Sequence, residues 1–410
     1  MDIRPILSTL QRHKTASLLI VLEIAFSCAI ICNAMFLISG RIAQMNRISG
    51  IAENEMVRVQ LTGIGGDDNA TALTRSDVAQ LNALPGVKAA TVTNQVPFVR
   101  SSWNSGISLV PDQQRPTLQA TQYMADEHFL DAFGLRLVAG RAFAPDEFVG
   151  LDALLAPGAD QSIPGVIVTR SMAERLFPGE NAIGKSLYGL GEGATPIIGI
   201  VEHLIRPSDQ GGPNAFEYTT ILPIRVPYDT GGNYVLRTDP GRRDEVLTSA
   251  IATLKRNGPQ RIILSDNSKS FSELRREYYQ QDRVMVWLLS GVCVALLIVT
   301  ALGIVGLASF WVQQRTRMIG IRRALGATRG QVLRYFQTEN FLLAGIGIVL
   351  GMLLAYALNQ LLMSRYELPR LPIWYLPVGA VLLWALGQLA VLGPARRAAA
   401  VPPAVATRSA

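Results

Sequence analysis

The stretch 313–339, QQRTRMIGIRRALGATRGQVLRYFQTE, decides the reading of this 410-residue chain. It is strongly basic and separates two long runs that carry no charge, 284–312 with 29 residues and 340–364 with 25. Each run exceeds the roughly 20 apolar residues with which an α-helix crosses a bilayer. The segment between them therefore reads as a short loop joining two membrane spans. Its six arginines, Arg315, Arg317, Arg322, Arg323, Arg329 and Arg334, put it in the cytoplasm, the side on which loops carry excess Lys and Arg.

Two further apolar runs complete the membrane part. One covers 15–40 and is interrupted only by Glu23; the other, 371–395, has no charge. Spans are expected at 17–39, 284–312, 340–363 and 373–394. Arg4, Arg12 and Lys14 precede the first, and Arg396, Arg397 and Arg408 follow the last. Both the N-terminal piece 1–16 and the tail 395–410 are thus expected in the cytoplasm. Only Arg365 and Arg370, beside Glu367, lie in the short loop on the far side. Trp287, Trp311 and Trp374 fall near span ends, where amphipathic rings favour the membrane–water interface. A cleaved signal peptide is the rival reading of the first run. Its apolar part is too long and no small-x-small cleavage site follows, so it is taken as an uncleaved anchor.

The segment 41–282 is then extracytoplasmic, and its 242 residues suffice for one large domain or two small ones. It carries 23 Lys/Arg against 27 Asp/Glu, whereas the cytoplasmic pieces carry 12 Lys/Arg against Asp2 and Glu339. The net charge of +7 is therefore a topology signal and gives no argument for nucleic acid. Cys28, Cys32 and Cys293 all lie in spans, so the external domain holds no disulfide and no thiolate metal site. His13, His128 and His203 show no metal spacing, and no nucleophile motif appears, which speaks against an enzyme.

Within the external segment the residues read as two βαβ-like halves about 140 residues apart. In the first, 56–61 is a strand, Thr74-Arg-Ser-Asp77 caps a helix with Val78, Leu81 and Leu84 on its apolar face, and 87–92 is a strand. In the second, 234–237 is a strand, 242–255 a helix with Val246, Leu247, Ile251 and Leu254 on one side, and 261–264 a strand. They predict a split α+β domain with a β-rich insert over 98–232. Phe271-Ser-Glu-Leu-Arg-Arg-Glu-Tyr-Tyr-Gln-Gln-Asp-Arg283 is helix-compatible and is expected to continue the second span outward as a stalk; an ordinary solvated connector is the alternative, and the sequence does not separate the two. Gly179-Glu-Asn-Ala-Ile-Gly184-Lys185-Ser186 matches the phosphate-loop pattern, but that pattern works only between an entering strand and a leaving helix. Here a helix over 171–177 precedes it and a Gly-rich strand pattern over 187–200 follows. It is read as a turn, so no nucleotide-binding residue and no metal ligand is assigned.

With these pieces in place the chain resembles the transmembrane subunits of MacB-like (type VII) ABC systems, the FtsX-like permease family. The likeness covers nearly the whole chain. It rests on Ile319-Gly-Ile-Arg-Arg-Ala-Leu-Gly-Ala-Thr328 followed by Glu339, and on Leu81-Asn-Ala-Leu-Pro-Gly-Val87, Gly140-Arg141-Ala-Phe143, Ala173-Glu-Arg-Leu-Phe177 and Asn181-Ala-Ile-Gly-Lys185. The family often has Glu where Met318 stands. The resemblance implies an α+β membrane protein: four transmembrane helices, with a large MacB-like core domain between the first and second made of a split βαβ porter-like subdomain and the inserted subdomain. It also implies the bacterial inner membrane, a dimer with a second permease copy or paralogue, and a separate cytosolic ABC ATPase that binds ATP and Mg, the chain itself having no cofactor and no enzymatic activity. A periplasmic adaptor and an outer-membrane channel are further implied partners.

Ile319, Gly320, Ile321, Arg322, Arg323, Ala324, Leu325, Gly326 and Ala327 are the expected ATPase-coupling residues. Ile321, Ala324 and Leu325 make a small apolar stripe at helical spacing. Gly326 can end that helix, and Thr328 with Gln331 has capping-box spacing for the next. Glu23 and Glu339 are acidic groups at membrane depth, where ionisable side chains are costly; a structural pairing is expected for both. The output implied is mechanotransmission that drives efflux of a peptide, lipid-linked or drug-like substrate. The alternatives are signalling to a cell-wall hydrolase in the manner of FtsX, lipoprotein extraction of the LolC/LolE type, and a scaffold without an ATPase.

Overall fold

The computed structural model describes residues 14–63, 69–208, 215–258, 261–366 and 370–400. Arg4, Arg12, Glu367 and Arg408 of the topology argument lie outside the described residues. The chain divides into two compact units, Met1–Asn46 with Gln281–Ala410, and Arg47–Gln280.

Helix α1 (Lys14–Met45) opens the first unit. The second unit begins with β1 (Met56–Gly63), α2 (Ala70–Asn82) and β2 (Val87–Thr93). It continues through β3 (Asn104–Ile107), β4 (Leu118–Met124), α3 (Phe129–Phe133), β5 (Leu137–Gly140), β6 (Val149–Gly150) and α4 (Leu151–Leu155). Next come β7 (Val166–Thr169), α5 (Arg170–Leu176), β8 (Ser186–Leu187), β9 (Thr195–Val201), β10 (Thr219–Leu222) and β11 (Ile224–Arg225). It closes with β12 (Asn233–Thr238), α6 (Arg243–Asn257), β13 (Arg261–Ile263), β14 (Lys269–Ser270) and α7 (Phe271–Tyr278). The first unit resumes with α8 (Gln280–Gln314), α9 (Thr316–Ala324), α10 (Arg329–Tyr366) and α11 (Tyr375–Ala400).

The two βαβ halves interleave into one antiparallel sheet of order β13-β1-β12-β2, with β14 also on β1. This is the split βαβ arrangement of ferredoxin-like folds. One face of β1, through Val57, Val59 and Leu61, packs with Leu81 of α2 and Val246 and Leu254 of α6. The other face carries Arg58 and Gln60, because successive strand residues point to opposite sides. Between β2 and β12 the chain forms the β-rich subdomain, a mixed sheet of order β3-β4-β10-β7-β9-β5 with β8 on β9. The Gly-rich stretch 187–200 is thus two strands separated by turns, not one.

Thr74 does not start α2: the helix begins a turn earlier, and Thr74 Oγ1 donates to Ala70 O (2.7 Å) and accepts from Tyr228 N (2.8 Å). Asp77 is no cap either; it is fully buried and ion-paired with Arg261, and it accepts from Tyr234 Oη (2.6 Å). The stalk expected over 271–283 is not one helix. Ser270 and Glu273 form a reciprocal cap that starts α7, and Tyr279, at φ −90°, ends it before α8.

Among the described residues, four helices are long and apolar enough to cross a membrane: Ser17–Met45 within α1, Gln280–Gln314, Arg329–Leu361 within α10, and Tyr375–Ala400. Helices α1, α10 and α11 form the packed centre of their unit. Small residues set its tightness, since glycines let helix backbones approach closely. A Cβ added at Gly351 would lie 2.5 Å from Cys28 Cβ and 2.7 Å from Ala25 O; one at Gly379 would collide with Cys32 Sγ. Helix α8 meets α1 through Ser27 Oγ and Thr300 Oγ1 (2.8 Å). Of the three tryptophans expected at the interface, Trp287 and Trp374 are exposed, but Trp311 is buried inside the helical unit. Its ring lies under the Arg315 guanidinium at 5.5 Å, which gives it a packing partner in place of an interfacial one.

Candidate partner-docking segment

The basic segment folds as a short helix, α9, set between two breaks. The first is Arg315, whose φ and ψ of −105° and 9° leave the helical region after α8. The second is a Schellman ending: Gly326 has φ +98°, its N–H donates to Arg323 O (3.1 Å), and Ala327 N–H donates to Arg322 O (3.0 Å). A left-handed residue at that place favours glycine, which has no Cβ to clash. Thr328 and Gln331 then cap α10 reciprocally: Gln331 Oε1 accepts from Thr328 N (2.9 Å) and Thr328 Oγ1 from Gln331 N (3.3 Å).

The inner face of α9 is anchored. Ile319 and Gly320 are buried, and Ile319 shares an apolar cluster with Val332 and Phe336 of α10 and Ala395, Ala398 and Ala399 of α11. Arg323 Nη1 donates to Ala399 O (3.0 Å), satisfying a carbonyl at the end of α11. Such C-terminal carbonyls have no partner within their own helix and attract cations. Arg322 lies over the Tyr335 ring at 5.4 Å. Between α9 and the first turns of α10 is a cleft of about 310 Å³, lined among others by Met318, Arg322 and Tyr335.

The outer face of α9 is uncovered among the described residues. Met318 and Ile321 are each 46 % exposed and Leu325 is 83 % exposed; Ala324 is also exposed. At spacings of three and four these side chains share one face. The nine residues singled out from the sequence therefore divide: Ile319 and Gly320 hold the helix down, Arg322 and Arg323 lock its flanks, and Ile321, Ala324 and Leu325 point away. Gly326 and Ala327 form the turn. Met318 is a residue sequence reasoning missed. Its place in the same i, i+3, i+7 pattern was the available signal, overshadowed by the acid usual at that position.

Glu339 is brought to this segment from α10. Arg315 Nη1 donates to its two carboxylate oxygens at 2.9 and 3.1 Å, with the side chains 8 % and 1 % exposed. Glu23 is not brought there. Its carboxylate lies against Gly303 of α8, where an added Cβ would be 2.5 Å from Oε2.

The phosphate-loop look-alike has the inverse of the geometry a phosphate needs. Helix α5 precedes it and strand β8 follows. Its backbone is engaged internally: Gly184 N–H donates to Ile197 O (2.8 Å) and Lys185 N–H to Ala182 O (3.2 Å). The Lys185 ammonium is ion-paired with Glu180 and lies 4.7 Å from the centre of the Phe177 ring. His203 is likewise engaged, Nδ1 lying 2.7 Å from Glu217 Oε1.

Comparison with known proteins agrees with this architecture. Residues 17–254 match the MacB-like periplasmic core domain, and residues 290–403 match the FtsX-like permease C-terminal. The macrolide export ATP-binding/permease protein MacB of Acinetobacter baylyi is 28 % identical over 98 % of this chain and 58 % of its own length. The uncharacterized ABC transporter permease YvrN of Bacillus subtilis is 21 % identical over 97 % of this chain and 96 % of its own. The crystal structure of the periplasmic region of MacB from Actinobacillus actinomycetemcomitans is 17 % identical, covering 57 % of this chain and 95 % of that one, with a TM-score of 0.33. The chain spans about half the length of the macrolide exporters it matches. The chain belongs to the MacB/FtsX-like family of ABC transporter permeases.

Proposed function

We propose that this chain is a permease subunit that takes up motion from an ABC ATPase at α9 and passes it to its external domain, driving export of a peptide, lipid-linked or drug-like substrate. The observation that carries this reading is the two-sidedness of α9. A helix whose inner face is fixed by Ile319 and by Arg323 on Ala399 O, and whose outer face offers Met318, Ile321 and Leu325 to the outside, suits a rigid contact with a partner groove. Arginines fixing membrane topology would not require that apolar face. ATP and Mg would be bound by the partner, in the cytoplasm of a bacterium, with α9, both chain ends and the ATPase on the inner side of the inner membrane and Arg47–Gln280 outside. A second copy or a paralogue would complete the pair that two ATPase subunits need.

Leu325→Asp tests this. Burying a leucine side chain is worth about 1.5–3 kcal/mol, and a carboxylate in the same groove adds a desolvation cost. ATP turnover of the complex purified through this chain is expected to fall at least tenfold, with insertion and yield of the permease unchanged. Unchanged turnover would show that α9 is not the coupling element.

A further inference from the structure

The external unit contains a cleft of about 670 Å³, within the range of small-molecule sites. It lies on the face of β1 turned away from α2 and α6, where the sheet, the loop from β2 to β3, and α7 come together. Arg58 of β1 forms its deep wall. This side chain is only 4 % exposed, and Asn233 Oδ1, accepting from Nε at 2.8 Å, is its single hydrogen-bond partner among the described residues. No carboxylate among those residues pairs with it. Burial without an anion pushes its pKa down to about 10, so the guanidinium remains charged at neutral pH. An unpaired buried charge costs several kcal/mol, far more than a packed apolar residue at the same place.

The remaining wall offers a polar acceptor and aromatic surface. Gln60, two residues along the same strand, has a buried Oε1 without a hydrogen-bond donor. Phe98, Trp103 and Tyr278 supply aromatic surface. Phe98 holds φ at +66°, a left-handed conformation that is unfavourable for a bulky residue and gathers at ligand sites. Glu277 also faces the cleft, but both its oxygens accept from Lys269 Nζ at 2.8 and 2.9 Å. Arg100, exposed at the mouth, leaves the cleft with a positive balance.

We propose that this cleft binds an acylated amino-acid carboxylate: the anion on Arg58, the neighbouring N–H on Gln60 Oε1, and an apolar side chain against the aromatic wall. Binding in this cleft requires no ATPase. α7 contributes Leu274, Glu277 and Tyr278 to the wall, so an occupant touches the helix that precedes the second membrane span in the chain.

The test uses the full chain in lipid nanodiscs and ligand-observed NMR with N-acetyl-L-phenylalanine and its uncharged carboxamide. The acid is expected to bind at least tenfold tighter than the amide, and Arg58→Gln is expected to abolish the difference. Because Arg58 also holds Asn233, a second variant guards against misfolding: Ser101→Glu, exposed at the cleft mouth, is expected to weaken the acid at least tenfold and leave the amide unchanged. A pentapeptide ending in Phe with a free carboxylate separates the two sources of this chemistry. Tighter binding of the pentapeptide assigns a peptide chain end, and tighter binding of the small acid assigns a free acylated amino acid. No binding of the acid, equal binding of acid and amide, or indifference to Ser101→Glu would overturn the proposal.

Discussion

Removing either partner of the Arg315–Glu339 pair should cost far more than removing both. The two side chains are 8 % and 1 % exposed, with contacts of 2.9 and 3.1 Å. With charge centres about 4 Å apart and an effective dielectric of about 20, their attraction is about 4 kcal/mol. Breaking a buried pair costs about 3–5 kcal/mol, because one charge stays behind in a dry site, whereas an apolar replacement of both is often neutral. Arg315→Met and Glu339→Leu should therefore each lose about 3–5 kcal/mol, and the double variant much less than their sum. For a unit of this size that is a fall in Tm of roughly 6–20 °C for each single variant. Thermal unfolding of the purified full chain, followed by tryptophan fluorescence, reads it, since Trp311 lies beside Arg315. Additive losses in the double variant, or no loss in the singles, would refute the reasoning. The pair would then be an incidental contact and not the tie between the end of α8 and α10.

Gly351→Leu should prevent α1 and α10 from packing, because even a Cβ there meets Cys28 Cβ at 2.5 Å; yield of monodisperse protein from membranes should collapse, while Gly306→Leu, whose added Cβ meets nothing within 4 Å, should be tolerated. Asp126 gives the Arg47–Gln280 unit a pH dependence. Its burial raises the carboxyl pKa above the ordinary aspartate value, against the lowering effect of the Thr91 hydroxyl, Val92 N–H and His128 N–H. The folded form then holds the proton more tightly than the unfolded one, so this residue's contribution is most favourable below the unfolded pKa and declines as pH rises through the folded pKa. The Tm difference between wild type and Asp126→Asn should shift against wild type on raising the pH from about 3.5, near the unfolded aspartate pKa, into the near-neutral range; a flat difference would contradict this.

The membrane spans were legible because a charge-free run of 25 or 29 residues is too long and too apolar for the core of a domain this size. The two βαβ halves were legible from apolar periodicity, and Val57, Val59, Leu61, Leu81, Val246 and Leu254 do share one core. What stayed hidden depends on contacts between residues far apart in the chain. The alternation Val57-Arg58-Val59-Gln60-Leu61 reads as a strand with one wet face. Here that face is enclosed by the loop after β2 and by α7, so Arg58 is buried. Asp77 looked like a capping residue because its partner Arg261 lies 184 positions away. The break at Tyr279 has no Gly or Pro to announce it, and the left-handed Phe98 has no local sequence signal. At α9 the apolar stripe was visible, but whether it faced inward or outward was not. Its exposure, with Met318 added, follows from the way Ile319 and Gly320 turn toward α10 and α11.

The most direct test of the central claim is purification of the tagged chain from native membranes in mild detergent, alongside its Leu325→Asp variant. The account predicts an ABC ATPase in near-stoichiometric amount with the wild-type chain and its loss from the variant, at equal recovery of permease. Absence of an ATPase from a wild-type preparation that retains other known membrane complexes would contradict it. So would equal recovery of the ATPase with both chains.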